Sequence, residues 1–213
     1  MRLFDVQGIL ISLPVIVISL SFHEFAHAWA ADRLGDPTAR LSGRLTMDPL
    51  AHLDPFGFIL LILAGWGWAK PVPVNPFNFR RPKQGMLYTS LAGPGANVVL
   101  ALLSAIVFKL LVLLNVDNGF LLAMLERMIM LNLGLAAFNL IPVPPLDGSK
   151  ILAGLLPDSS ASVIWNLETY GPLILIVLVA TGAIDYVFDP LVTVLGNAIL
   201  YIVTAIFSFW PRG

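Results

Sequence analysis

Six apolar runs, at about 7–31, 56–68, 86–114, 120–141, 167–184 and 186–209, constrain this chain more than any other feature. A helix needs roughly 20 apolar residues to cross a hydrocarbon core about 30 Å thick. All but the second run meet or approach that length. The expected fold is therefore an all-α polytopic membrane protein with five to six transmembrane helices. Composition agrees: hydrophobic residues make up 58% of the chain and charged residues 12%, far from a soluble domain. Net charge is −1, so no basic surface points to nucleic acid. With no cysteine, disulfides, thiolate metal sites and cysteine nucleophiles are all excluded. The whole of 1–213 reads as one membrane-embedded domain, with a core at about 7–157 and further transmembrane helices at about 163–209.

The second run, 56–68, is short for a spanning helix. Basic residues sit in the regions 32–48 and 70–85 and at Lys150, whereas 115–118 carries none. Placing every basic region on the cytoplasmic side requires the second run to enter and leave on one face. It reads as a re-entrant segment, and six full spans is the alternative. After it, Lys70-Pro71-Val72-Pro73-Val74-Asn75-Pro76 cannot be helical and reads as a short membrane-associated edge strand. The first run is too long for a signal-peptide core, and cleavage after it would discard the motif described next.

His23-Glu24-Phe25-Ala26-His27 is an H-E-x-x-H motif in the first run. Residues four apart share a helix face, so both imidazoles can hold one metal ion. The carboxylate beside the first His can then serve as general base, Glu24 taking a proton from water. With imidazole ligands and no cysteine, zinc is the expected metal, one per chain. Polar groups at membrane depth are costly unless they pair or act. A hydrogen-bonded polar cluster between helices is the alternative, and it leaves the spacing unexplained.

A catalytic zinc site has three protein ligands. His52 is the one remaining histidine, and Asp54, Glu126, Glu168, Asp185, Asp189 and Asp147 are acids beside apolar runs. Asp147 follows Pro142-Val143-Pro144-Pro145, where irregular backbone at membrane depth would line a cavity. Spacing alone leaves two readings of Asp147 open, a metal ligand or the cap of a short helix at 148–155.

The H-E-x-x-H motif, with Asn139-Leu140-Ile141-Pro142-Val143-Pro144-Pro145-Leu146-Asp147-Gly148 far downstream, resembles the site-2 protease family of intramembrane zinc metalloproteases. The likeness runs through Leu34-Gly35-Asp36-Pro37, Gly43-Arg44-Leu45-Thr46, Asp48-Pro49-Leu50-Ala51-His52-Leu53-Asp54-Pro55, Ala69-Lys70-Pro71 and Gly93-Pro94-Gly95-Ala96-Asn97, covering about residues 20–152. It is similar to the compact prokaryotic branch without PDZ or CBS domains. The resemblance implies that Asp147 is the third zinc ligand. It implies that Asn139 donates to the substrate carbonyl or its oxyanion, and that the substrate is a transmembrane protein cut in or near its membrane segment. It also implies a multi-pass protein of the cell membrane, its site facing the cytoplasm, working in regulated intramembrane proteolysis. Asn97 reads as packing or support for the site, and His52 as a substrate-binding or supporting group. Asp48 and Gly95 depart from the family pattern, which expects Asn and a larger apolar residue. Neither belongs to the ligand set. A membrane metal-binding or transport protein would use the same His and Asp residues without needing Glu24 as a base.

Overall fold

The computed structural model describes residues 6–64 and 67–208. The described residues form helices α1 (Val6–Arg33), α2 (Thr38–Leu41), α3 (Pro49–His52), α4 (Pro55–Ala64), α5 (Pro82–Leu113), α6 (Gly119–Asn139), α7 (Asp147–Leu155), α8 (Ala161–Thr181) and α9 (Asp185–Ile206). Five helical stretches are long and apolar enough to cross a membrane: Leu10–Arg33, Pro82–Leu113, Gly119–Asn139, Asp158–Thr181 and Asp185–Ile206.

One expectation is narrowed and another changes. α4 has 10 residues, about 15 Å of helix or half a hydrocarbon core. It is not a span by itself, which favours five spans over six; Gly65 and Trp66, part of the expected second run, lie outside the described residues, as does Phe209 at the end of the sixth. The edge strand expected at 72–74 forms no ladder among the described residues. Its neighbourhood holds one isolated antiparallel bridge, Leu53 to Ala69. Pro71 and Pro73 lack N–H groups, so this stretch has few donors with which to pair inside the chain.

Helix ends follow local chemistry. Pro82 opens α5 at its first turn, where its missing N–H costs nothing. Asn118 caps α6 by accepting from the Leu121 N–H at 3.1 Å. α8 ends at Gly182 in the left-handed region, φ 72°. It starts at Ala161, earlier than its apolar run suggests, because its first turns mix polar and apolar residues.

α5 is the organising helix. It packs against α1, α6, α7 and α9. Many of the wholly enclosed residues on these helices are small: Ala28, Ala31, Ala101, Ala136 and Ala137. Lipid gives no hydrophobic drive between helices, so close backbone approach and interhelical hydrogen bonds hold them together. One apolar cluster, Ala101, Leu133, Ile199 and Val203, joins α5, α6 and α9. A second, Ile141, Val143, Leu146 and Ile184, seats the turn after α6 against α8 and α9.

Candidate metal centre

His23 and His27 lie one turn apart in α1, and both are buried. Asp147 begins α7, also buried. Their Nε2, Nε2 and Oδ2 atoms converge. His23 and His27 Nε2 are 3.0 Å apart. Asp147 Oδ2 lies 3.3 Å from the first and 3.0 Å from the second.

The other ring nitrogens show what kind of site this is. His23 Nδ1 donates to Asn97 Oδ1 at 2.6 Å. His27 Nδ1 donates to the Thr89 carbonyl at 2.7 Å. A carbonyl oxygen can only accept, so each imidazole carries its proton on Nδ1 and turns the Nε2 lone pair inward. Two lone pairs and a carboxylate oxygen then face one another, a donor set made for a cation. A tetrahedral zinc with bonds of about 2.0–2.1 Å has donor–donor edges of about 3.3–3.4 Å. The observed separations are close to that, and the residues present fit zinc.

Asn97 is itself held. Its Nδ2 donates to Asn132 Oδ1 at 2.7 Å, and Asn132 Nδ2 donates to Ser19 Oγ at 2.8 Å. Asn97, Asn132 and Ser19 are all enclosed. This chain joins α5, α6 and α1 behind His23. Inside an apolar bundle such a network is satisfied only when all three helices are in register. Asn132 was not picked out from sequence, though an amide in the middle of an apolar span is the signal that finds it.

Glycines make room for the three converging groups. A Cβ on Gly93 would collide with both imidazoles, at His27 Nε2 and His23 Cε1, so α5 passes directly beside the two rings. A Cβ on Gly148 would strike the carbonyls of Leu140 and Ile141. That close approach brings Asp147 back to the end of α6 through a turn with a cis Pro144–Pro145 bond.

Glu24 is half-buried and is held from outside the helix bundle. Its Oε2 accepts from the Val72 N–H at 2.9 Å. The 71–74 stretch that supplies this N–H is pinned at both ends. At one end Arg44 Nη2 donates to the Lys70 carbonyl at 2.7 Å, and the Lys70 N–H donates to the His52 carbonyl at 2.8 Å. At the other, Asp36 accepts from the Asn75 N–H and from Asn78 Nδ2, both at 2.7 Å, and also from Thr38. Asp36 is wholly enclosed. Burial pushes its carboxyl up, but the hydrogen bonds from Asn78, Thr38 and Asn75 outweigh it and hold it below the usual carboxylate range.

The remaining expected residues sit apart from the donor set. His52 is buried and its Nε2 bonds the Thr46 carbonyl at 2.8 Å, within the loop that carries Arg44. Asn139 is half-buried at the end of α6, and its Nδ2 donates to the Leu135 carbonyl of its own helix at 3.0 Å.

Comparison with known proteins follows the same line. The description "Peptidase family M50" matches residues 114–178, the stretch holding Asn139 and Asp147. "Putative zinc metalloprotease YwhC" of Bacillus subtilis is 40% identical, over 91% of this chain and 90% of that protein. "Putative zinc metalloprotease Rip2" of Mycolicibacterium smegmatis is 31% identical, over 83% of this chain and 69% of that protein. "Putative zinc metalloprotease MJ0611" of Methanocaldococcus jannaschii is 31% identical, over 70% and 72%. No solved structure matches the chain.

Proposed function

The chain belongs to peptidase family M50, the site-2 type zinc metalloproteases, and on that premise we propose that it hydrolyses peptide bonds in or beside the transmembrane segments of other membrane proteins. The observation that carries this reading is the convergence of His23 Nε2, His27 Nε2 and Asp147 Oδ2 among spanning helices, with Glu24 beside them on α1.

In this reading His23, His27 and Asp147 hold one zinc ion. Bound there, zinc supplies Lewis acidity that makes water a nucleophile near neutral pH and polarises the scissile carbonyl. Asn97 and the Thr89 carbonyl keep both rings in the ligating tautomer. Glu24 accepts a proton from the attacking water and returns it to the leaving nitrogen as the C–N bond breaks. Val72 occupies Oε2, which leaves Oε1 as the oxygen that moves the proton. Asn139 reaches the oxyanion by exchanging its Leu135 partner for the substrate oxygen.

A substrate helix hides its amides in its own hydrogen bonds, so it must unwind before cleavage. The 71–74 stretch crosses Glu24 without pairing to another strand among the described residues, and its extended backbone suits an unwound segment laid alongside by strand addition. α4 is read as dipping into the bilayer and returning, so that the basic loops and the site face the cytoplasm of a multi-pass cell-membrane protein. The whole chain works as one membrane-embedded domain in regulated intramembrane proteolysis.

The test is co-reconstitution in vesicles with a panel of single-span membrane peptides, cleavage being read by mass spectrometry. The parent is expected to cut within or next to a membrane segment, and Glu24→Gln to cut at least about 100-fold more slowly while keeping its zinc. Cleavage by Glu24→Gln at the parent's rate would remove this mechanism. A zinc-loaded parent that moves metal across the vesicle and cuts no peptide would favour transport.

A further inference from the structure

A second cleft, of about 580 Å³, opens between the end of α1 and the start of α5. Arg33 lines one wall; Arg80, Arg81, Gln84 and Tyr88 line the other, with buried Phe79 beside them. Among the described residues, none of the three guanidinium groups pairs with a carboxylate. Three other basic groups near the loops do: Arg40 with Asp32, Lys83 with Asp158 and Lys150 with Asp147; Arg44 instead donates to the Lys70 carbonyl. Arg33 instead lies over the Trp29 ring at 5.3 Å, and Arg81 donates to Gln84 Oε1 at 3.3 Å. These contacts leave most of the guanidinium N–H groups open.

The position of the cleft selects its occupant. Arg33 ends the span Leu10–Arg33, and Pro82, next to Arg81, begins the span Pro82–Leu113. Both wall helices therefore leave the hydrocarbon at this level. Trp29 and Tyr88 are about half exposed beside it, the depth at which amphipathic rings gather in a bilayer. Guanidinium forks match phosphate oxygens in pairs. Three of them lining one open cleft at headgroup depth form the kind of basic interhelical site that anionic lipids occupy.

We propose that this cleft binds the phosphate of an anionic phospholipid headgroup, held by Arg33, Arg80 and Arg81. The acyl chains then lie along the exposed apolar sides of α1 and α5, as an acidic protein segment would not. The site is separate from the metal centre, and its occupancy does not depend on proteolysis.

The test counts bound lipid by native mass spectrometry on the full chain in detergent. It is titrated with short-chain phosphatidylglycerol, with phosphatidylcholine of equal chain length, and with inorganic phosphate. The parent is expected to retain phosphatidylglycerol over phosphatidylcholine. Arg33→Gln/Arg80→Gln/Arg81→Gln should weaken that binding about 100-fold, at about fivefold per lost cation. If the triple variant fails to fold, Arg80→Gln/Arg81→Gln is compared with Arg40→Gln/Lys83→Gln, which loses the same charge outside the cleft; only the first pair should lose lipid. Equal loss in both pairs, or parent-like binding in the cleft variant, would overturn the proposal. So would inorganic phosphate competing at the same concentration as the lipid, which would make this a free-anion site. Displacement of the lipid by an oligoglutamate peptide at lower concentration would likewise give the cleft to an acidic protein partner.

Discussion

His23 and Glu24 are neighbours in one turn of α1, yet different parts of the molecule hold them. Behind His23 stand Asn97, Asn132 and Ser19, one from each of three packed helices, all enclosed. In front of Glu24 stands one backbone N–H on an extended stretch, kept in place by Asp36, Arg44 and the Lys70–His52 contact. The proposed ligands are thus fixed by the helix bundle and the proposed base by a loop. A metal site needs rigid donors. A base beside a long peptide substrate needs access, and loops can move where packed helices cannot. Metal binding and catalysis should therefore fail separately when the two halves are disturbed separately.

The sharpest break is Glu24→Gln. The amide cannot take the proton, so cleavage should fall about 10²–10⁴-fold while zinc content stays at the parent level. Next is Gly93→Ala, whose methyl enters the space of both imidazoles. It should lower zinc affinity by more than tenfold, read by competition with a chelator, and take activity down with it. Asn97→Ala removes the acceptor behind His23 and should weaken zinc about 10–100-fold, the usual cost of losing such a partner. On the other half, Asp36→Ala frees the far anchor of the 71–74 stretch. It should leave zinc content unchanged, lower the turnover number about tenfold, and speed amide exchange at Val72 and Asn75. Loss of zinc in that variant would mean that the loop and the ligands are one unit after all.

Acid gives the smallest effect. The folded carboxyl of Asp36 is held below its ordinary value, so the clasp contributes stability at pH above the unfolded carboxylate range, about 4. That contribution is lost as pH falls through the lower, folded value. Amide exchange at Asn75 should therefore stay slow down to about pH 4 and rise only below it. A rise between pH 6 and 5 would point to another group.

The two halves were unequally legible in the sequence. His23, Glu24 and His27 announce themselves by helical spacing, and an amide at Asn97 stands out in a span. Asp147 was ambiguous by spacing, and the family resemblance chose between ligand and cap. In the structure the N-cap position of α7 is Leu146, no side chain caps that end, and the Asp147 carboxylate in the first turn meets the imidazoles instead. Long-range partners were out of reach: nothing local says that Val72 meets Glu24 or that Asp36 reaches Asn75 and Asn78, because those pairs are set by how the loops fold over the bundle. The five helices long and apolar enough to span were readable because length and apolarity are local quantities. The strand at 72–74 was read from the Pro-Val alternation, which gives extended backbone but supplies no partner to pair with.

The central claim is that three side chains from α1 and α7 hold one zinc ion. Its most direct test is bound metal per chain, measured on freshly purified parent and Asp147→Ala in detergent. The account predicts about one zinc in the parent and far less in the variant, with its helical content unchanged. Equal zinc in both would contradict it and move the third ligand away from Asp147.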